Sequence, residues 1–411
     1  MDIKIRSRLL QRTLILLTII ISFFLVLSSA RSWMSYVYAG DPPPYGFKEA
    51  LAVEKNNSEF YFLLAQFYDS YDAAGAGDQV YPLYQKALEL NPLNYAYWFY
   101  MADSLFMDGR KEESLFALNQ ATNLAPGVVS LRWGAAMLAS KLGNEEALVN
   151  NIRSVLASDP RRRLKAFPVL WQSLRNGDKI WKAIPDNALP EYLHFLISTR
   201  RVSEAEQAWG KLSDTAEIPQ DIFQRYVSFL ITENKPQAAK EAWAKRLGDW
   251  QGVWNGDFEK EITSAGFDWR RGKVEGVNIT RIRNTDNRGY SLKIDFDGSS
   301  NVDFNHLRQI VPVFGNSDYE LSSDMKSKGL STRNGLFWDV SCWGPGGSGS
   351  MHTQTGEVLG TSDWHEVSTS FKTPPGCEYV VIRLRRQPDN DLGRKITGTV
   401  WIDNVKLEKQ L

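Results

Sequence analysis

Pro92, Pro126 and Pro160 lie 34 residues apart, and each closes a similar segment: Leu90-Asn91-Pro92, Leu124-Ala125-Pro126 and Ser158-Asp159-Pro160. Self-similarity at such an interval marks an array of stacked units, because one unit alone cannot bury its apolar face. Further on, Tyr192, Phe195, Leu196, Ile197, Ala205, Ala208 and Trp209 recur as Tyr226, Phe229, Leu230, Ile231, Ala239, Ala242 and Trp243, again shifted by 34. Between the two tracts, Leu164, Phe167, Leu170, Trp171 and Leu174 fall at helical spacing, which predicts a divergent helical bridge over residues 164–184.

The second unit is the most regular, with Trp98, Ala102, Gly109, Ala121 and Pro126 at its aromatic, small, turn and terminating positions. This pattern resembles the tetratricopeptide repeat, a helix-turn-helix unit. The first unit keeps Tyr84, Ala87 and Pro92 but has an irregular Ala73-Ala74-Gly75-Ala76-Gly77 turn, and the third keeps Ala136, Gly143 and Pro160. Small residues let helices approach closely, glycine ends the first helix and proline blocks continuation. The resemblance implies an α-solenoid of about five to six helix pairs over residues 41–248, presenting a surface to a protein partner. In the aromatic run Tyr95-Ala96-Tyr97-Trp98-Phe99-Tyr100, Trp98 and Met101 are expected to pack inward with Ala102, leaving Tyr97 dispensable for stability.

At 411 residues the chain exceeds one ordinary core, and its character changes near Trp250. Lys plus Arg equals Asp plus Glu, 48 each, so no global field draws it to nucleic acid. The triplet Arg161-Arg162-Arg163 reads as a solvated helix start. Residues 1–40 form a basic tip and an apolar segment, with Lys4, Arg6, Arg8 and Arg12 preceding the nearly all-apolar residues 14–30. The positive-inside rule puts the N-terminus in the cytoplasm and exports the remainder to a periplasmic or other extracytoplasmic space. Trp33, Tyr36 and Tyr38 suit a membrane interface and favour a retained anchor, whereas Ser28-Ser29-Ala30 offers the alternative of secretion after signal cleavage.

From Gln251 to the end, short alternating strands replace helical periodicity, as an antiparallel β-sandwich requires. Leu292, Ile294 and Phe296 share one face; Val380, Ile382 and Leu384 face inward, opposite Tyr379, Val381, Arg383 and Arg385. The segment order runs from Asn255-Gly256-Asp257-Phe258-Glu259 through Arg308-Gln309-Ile310-Val311-Pro312-Val313 and Asp363-Trp364-His365-Glu366-Val367 to Trp401-Ile402-Asp403-Asn404-Val405. It resembles a carbohydrate-binding-module-like jelly roll of the galactose-binding type, here over residues 251–411. The resemblance implies glycan recognition, and a structural calcium with Asp257, Glu259 and Asp403 as candidate oxygen donors. It also gives Trp364 and Trp401 packing roles.

Glycan recognition pairs an aromatic face with polar groups, and a strand running into the glycine-rich residues 344–350 is a natural place for it. Alternation puts Asp339 and Trp343 on one face and Trp338 on the other, so either Asp339 and Trp343 or, with the faces reversed, Trp338 joins Arg383 and Arg385. Cys342 and Cys377 are a candidate disulfide or two separately buried thiols.

The sequence has no phosphate-binding loop, nucleophile elbow, zinc-protease motif or dinucleotide glycine pattern. The expected protein is therefore a non-catalytic scaffold, its solenoid on a protein and its jelly roll on polysaccharide. Two alternatives are a structural factor whose jelly roll merely caps the solenoid, and a glycoside hydrolase or lyase using Asp339 with Glu366 or Asp363.

Overall fold

The computed structural model describes residues 8–71, 77–174, 176–213, 218–284, 289–344, 351–388 and 395–410. Lys4, Arg6, most of the irregular turn before Gly77 and the glycine-rich loop at 345–350 thus lie outside the described residues. The chain divides into two compact units, Met1–Tyr192 and Leu193–Leu411.

The first unit is helical: α1 (Arg8–Ala39), α2 (Tyr45–Val53), α3 (Ser58–Tyr71), α4 (Gly77–Leu90), α5 (Tyr95–Met107), α6 (Lys111–Leu124), α7 (Val129–Leu142), α8 (Glu145–Ser158), α9 (Arg163–Ser173) and α10 (Gly177–Ala183). The periodic prolines each stand two residues beyond a helix end, after α4, α6 and α8, where a residue without an N–H cannot prolong the helix. Asn94 caps α5 by accepting from Ala96 N, and Asn144 caps α8 by accepting from Ala147 N. Gly143 closes α7 at φ 70°, the left-handed conformation that glycine adopts without steric cost. Ala102, Ala121, Ala135 and Ala136 are wholly buried where helices meet. The bridge at 164–184 is a helix pair, α9 and α10, with Phe167, Leu170 and Leu174 buried.

Two expectations are corrected in this unit. Tyr97 is buried at 5% exposure and stacks on Phe62 with ring centroids 4.6 Å apart, whereas Trp98 is half-buried and donates from Nε1 to the Pro92 carbonyl at 2.8 Å. Arg163 does not face solvent: it donates to the Leu156 carbonyl and pairs with Glu191 at 2.8 Å. Among the described residues, α1 is the one helix long and apolar enough to cross a membrane. Its C-terminal end packs on the first repeat, where Ser35 donates to Glu54 and the Tyr36 ring meets Phe60 at 5.1 Å.

Helix α11 (Leu189–Ser198) runs across the division, and the second unit contains α12 (Val202–Leu212), α13 (Gln220–Thr232) and α14 (Pro236–Leu247), followed, among the described residues, by ten strands. These are β1 (Arg270–Arg271), β2 (Val277–Arg283), β3 (Tyr290–Asp297), β4 (Phe304–Pro312), β5 (Asp318–Leu330), β6 (Phe337–Trp343), β7 (His352–Gln354), β8 (Gly360–Lys372), β9 (Tyr379–Arg386) and β10 (Thr397–Lys409). They form two antiparallel sheets, β1-β4-β9-β6-β7 and β2-β3-β10-β5-β8. Leu292, Ile294 and Phe296 from one sheet meet Val380, Ile382 and Leu384 from the other around Phe258, Trp269 and Trp338. Alternation therefore assigned the inward faces correctly. At the start of the sandwich, Trp243 of α14 is packed by Trp250, Trp254 and Phe267, with ring centroids 5.3–6.1 Å away. Gly266, at φ 58°, donates its N–H to Ser228 Oγ at 2.9 Å, and a Cβ there would lie 2.2 Å from the Trp243 ring.

Candidate functional site

Strand register assembles one polar row across the outer face of the first sheet. Arg270 pairs with Arg308, Arg308 with Arg383, Arg383 with Asp339, and Asp339 with Gln354. Directly opposed residues of antiparallel strands point to the same side. Leu307, Val340, Ile382 and Leu384 occupy the core, so this row turns away from it.

Asp339 anchors the row. Its side chain is fully buried, Arg383 Nε donates to Oδ2 at 2.9 Å, and the His352 ring lies against Oδ1. Arg383 Nη2 also donates to Ser341 Oγ at 2.6 Å. A carboxylate so enclosed is tolerated because its charge is matched, and removing a partner would leave it uncompensated. Arg385 lies one row away, 3.9 Å from Asp303. Arg308 is exposed and Arg270 half-buried, and neither has an ion pair among the described residues. Burial, and then the positive charge of Arg308, holds the Arg270 guanidinium below its ordinary pKa.

Of the aromatic candidates, Trp338 is wholly buried against Trp269 at 5.7 Å. It packs the core and is removed from the surface set; β6 turns Asp339 and Trp343 outward instead. Trp343 is half-buried beside Tyr379, with centroids 5.7 Å apart. Cys342 and Cys377 are joined in a disulfide, tying β6 to the segment that enters β9. Trp364 and Trp401 are half-exposed on the second sheet rather than packed in the core. Asp363 and Glu366 also belong to that sheet, on β8, so neither shares a sheet with Asp339.

The three candidate calcium donors do not converge. Asp257 accepts from the Glu259 backbone N–H, Glu259 is drawn to the Tyr290 N–H at 2.7 Å, and Asp403 is buried, accepting from Asn404 N at 2.8 Å. Among the described residues no group of three or more His, Cys, Asp or Glu is arranged to hold a metal ion.

Arg270 and Arg308 were not among the residues singled out from sequence. The alternation around Arg308 was legible, but its pairing with a two-residue strand 38 positions earlier was not. A second concave surface lies in the first unit, where Tyr81, Leu88, Trp98, Met101, Leu105 and Phe116 of α4–α6 line a cavity of about 590 Å³. Phe116 stands 58% exposed there.

A family model for the tetratricopeptide repeat matches residues 83–116, spanning α4 to α6. No curated protein matches the chain. Among solved structures, the CBM22-1 xylan-binding domain of Paenibacillus barcinonensis Xyn10C is 15% identical, with 38% of this chain and 91% of that one covered and a TM-score of 0.27. MamA is 16% identical over 42% of this chain and 86% of its own, with a TM-score of 0.29. The enzymatically active domain of bacteriophage CBA120 tailspike protein 4 is 13% identical, at a TM-score of 0.28 over 39% of this chain, which spans only 21% of that protein's length. Likeness at this level does not say what this chain binds.

Proposed function

We propose that this protein is an exported, membrane-anchored, non-catalytic scaffold whose helical repeats dock a protein partner and whose β-sandwich binds glycan during surface polysaccharide synthesis or export. The observation that carries the glycan half is the outer face of the first sheet. There Arg383, held by buried Asp339 and donating to Ser341 Oγ, stands on the same face as half-buried Trp343. An aromatic surface beside fixed hydrogen-bonding groups suits a sugar, which has apolar C–H faces and hydroxyl edges. The protein-docking half rests on the repeat match and on the apolar groove of α4–α6. The anchor rests on α1, whose apolar stretch follows basic residues.

The test is a glycan array followed by calorimetry on the full-length chain in nonionic detergent. Binding to at least one polysaccharide is expected, weakened about tenfold by Trp343→Ala through loss of aromatic contact. Failure to bind any polysaccharide would remove the glycan half.

A second reading has its own support in Trp243, buried among Trp250, Trp254 and Phe267. On that reading the sandwich serves to close the apolar end of the helical tract. It expects an empty glycan screen together with aggregation of residues 45–248 expressed alone.

A further inference from the structure

We infer that the glycan is acidic, and that the outer face of the first sheet holds its carboxylate groups, those of a uronic acid polymer, on Arg270 and Arg308. This rests on the glycan reading above and deepens it.

Arg270 and Arg308 are directly opposed across β1 and β4, on the same face as Arg383. Like charges in that position destabilise a sheet. The acid in the row, Asp339, does not offset them, being buried and committed to Arg383 and His352. Neither arginine has an ion pair among the described residues. The pair is also no local sample of a basic protein, since the chain's formal net charge is zero. Burial and mutual repulsion disfavour the charged state of Arg270, as its lowered pKa reflects. An anion between the two guanidinium groups would relieve both effects.

The chemistry selects the anion. Each guanidinium presents a planar fork of N–H donors that matches a carboxylate in bidentate fashion. Trp343, on the same face but four residues along β6 from Asp339, supplies an apolar surface for another ring of the same polymer. The two features together describe a uronate better than a neutral sugar or an isolated anion.

The experiment compares polygalacturonate, neutral xylan and duplex DNA as probes on the full-length chain in nonionic detergent. Polygalacturonate is expected to bind more tightly than xylan, and its affinity to fall as salt rises from about 50 mM to about 500 mM. Arg308→Ala should weaken it about tenfold, the loss of one charge-assisted hydrogen-bonding pair. Arg308→Lys should keep the salt dependence but lose part of the affinity. Arg308 is exposed, so thermal melting of Arg308→Lys should match the parent, and that of Arg308→Ala should match or slightly exceed it because the repulsion with Arg270 is gone. Xylan bound as tightly as polygalacturonate, with Arg308→Ala silent, would overturn the acidic assignment while leaving the glycan reading in place. DNA bound as tightly as polygalacturonate would overturn it in favour of unselective polyanion binding. Failure of all polysaccharides to bind would remove both readings.

Discussion

Tyr97 and Trp98 are neighbours in α5 with opposite surroundings. Tyr97 lies under Phe62 and within reach of Ser58 Oγ at 3.3 Å, while Trp98 faces the groove shared with Tyr81 and Phe116. Truncating a buried aromatic removes its transfer free energy and leaves a cavity; truncating one at a groove lets water take its place. Tyr97→Ala should therefore cost about 3–5 kcal/mol and Trp98→Ala less than about half of that, both read by thermal melting. If Trp98→Ala proved the costlier change, the inward face of α5 would be misassigned. Where docking is concerned the order reverses, since Trp98 is the residue of the two that a partner can reach. Asp339 illustrates the same dependence on surroundings, because its role comes from being enclosed by Arg383 and His352.

Helices in a repeat array touch through their small residues, and two glycines separate that role from helix propensity. Gly134 in α7 sits so close to α5 that a Cβ would come within 2.7 Å of the Phe99 ring, whereas Gly210 in α12 has nothing within 4 Å. In an open helical position Gly→Ala gains about 0.5–1 kcal/mol, mainly by restricting the unfolded chain. Gly210→Ala should show that gain in denaturant unfolding. Gly134→Ala should instead lose about 1–2 kcal/mol, because the Phe99 ring must move off its packed position. Equal gains at both sites would mean that α5 and α7 approach less closely than described. In the sheets the corresponding unit is the cross-strand pair, which brings Arg308 beside Arg383 and fixes which side chains the outer face presents together.

At the scale of the whole molecule, α1 is the helix among the described residues that is long and apolar enough to cross a membrane. Its apolar length is exposed, and its last residues pack on α2 and α3, so a retained helix would join the membrane directly to the first repeat. The full-length chain is expected to stay in the membrane fraction after a carbonate wash and to be released by detergent. A mature protein beginning at Arg31 would instead establish cleavage. The sequence alone determined the repeat interval, the helical and strand-forming tracts, the inward residues of β3 and β9 and the apolar segment. Each of these is written in spacings of two, three or four residues, or in a fixed interval, which act within one element and need no partner. Only the tertiary structure decided that Trp338 turns inward and Asp339 outward, that Tyr97 rather than Trp98 is enclosed, and that Asp257, Glu259 and Asp403 form no metal-holding group among the described residues. It also decided that Arg270, Arg308, Arg383 and Asp339, drawn from four strands, stand in one row. Alternation distinguishes two faces of a strand without saying which one is covered, and register depends on which distant strand pairs beside it.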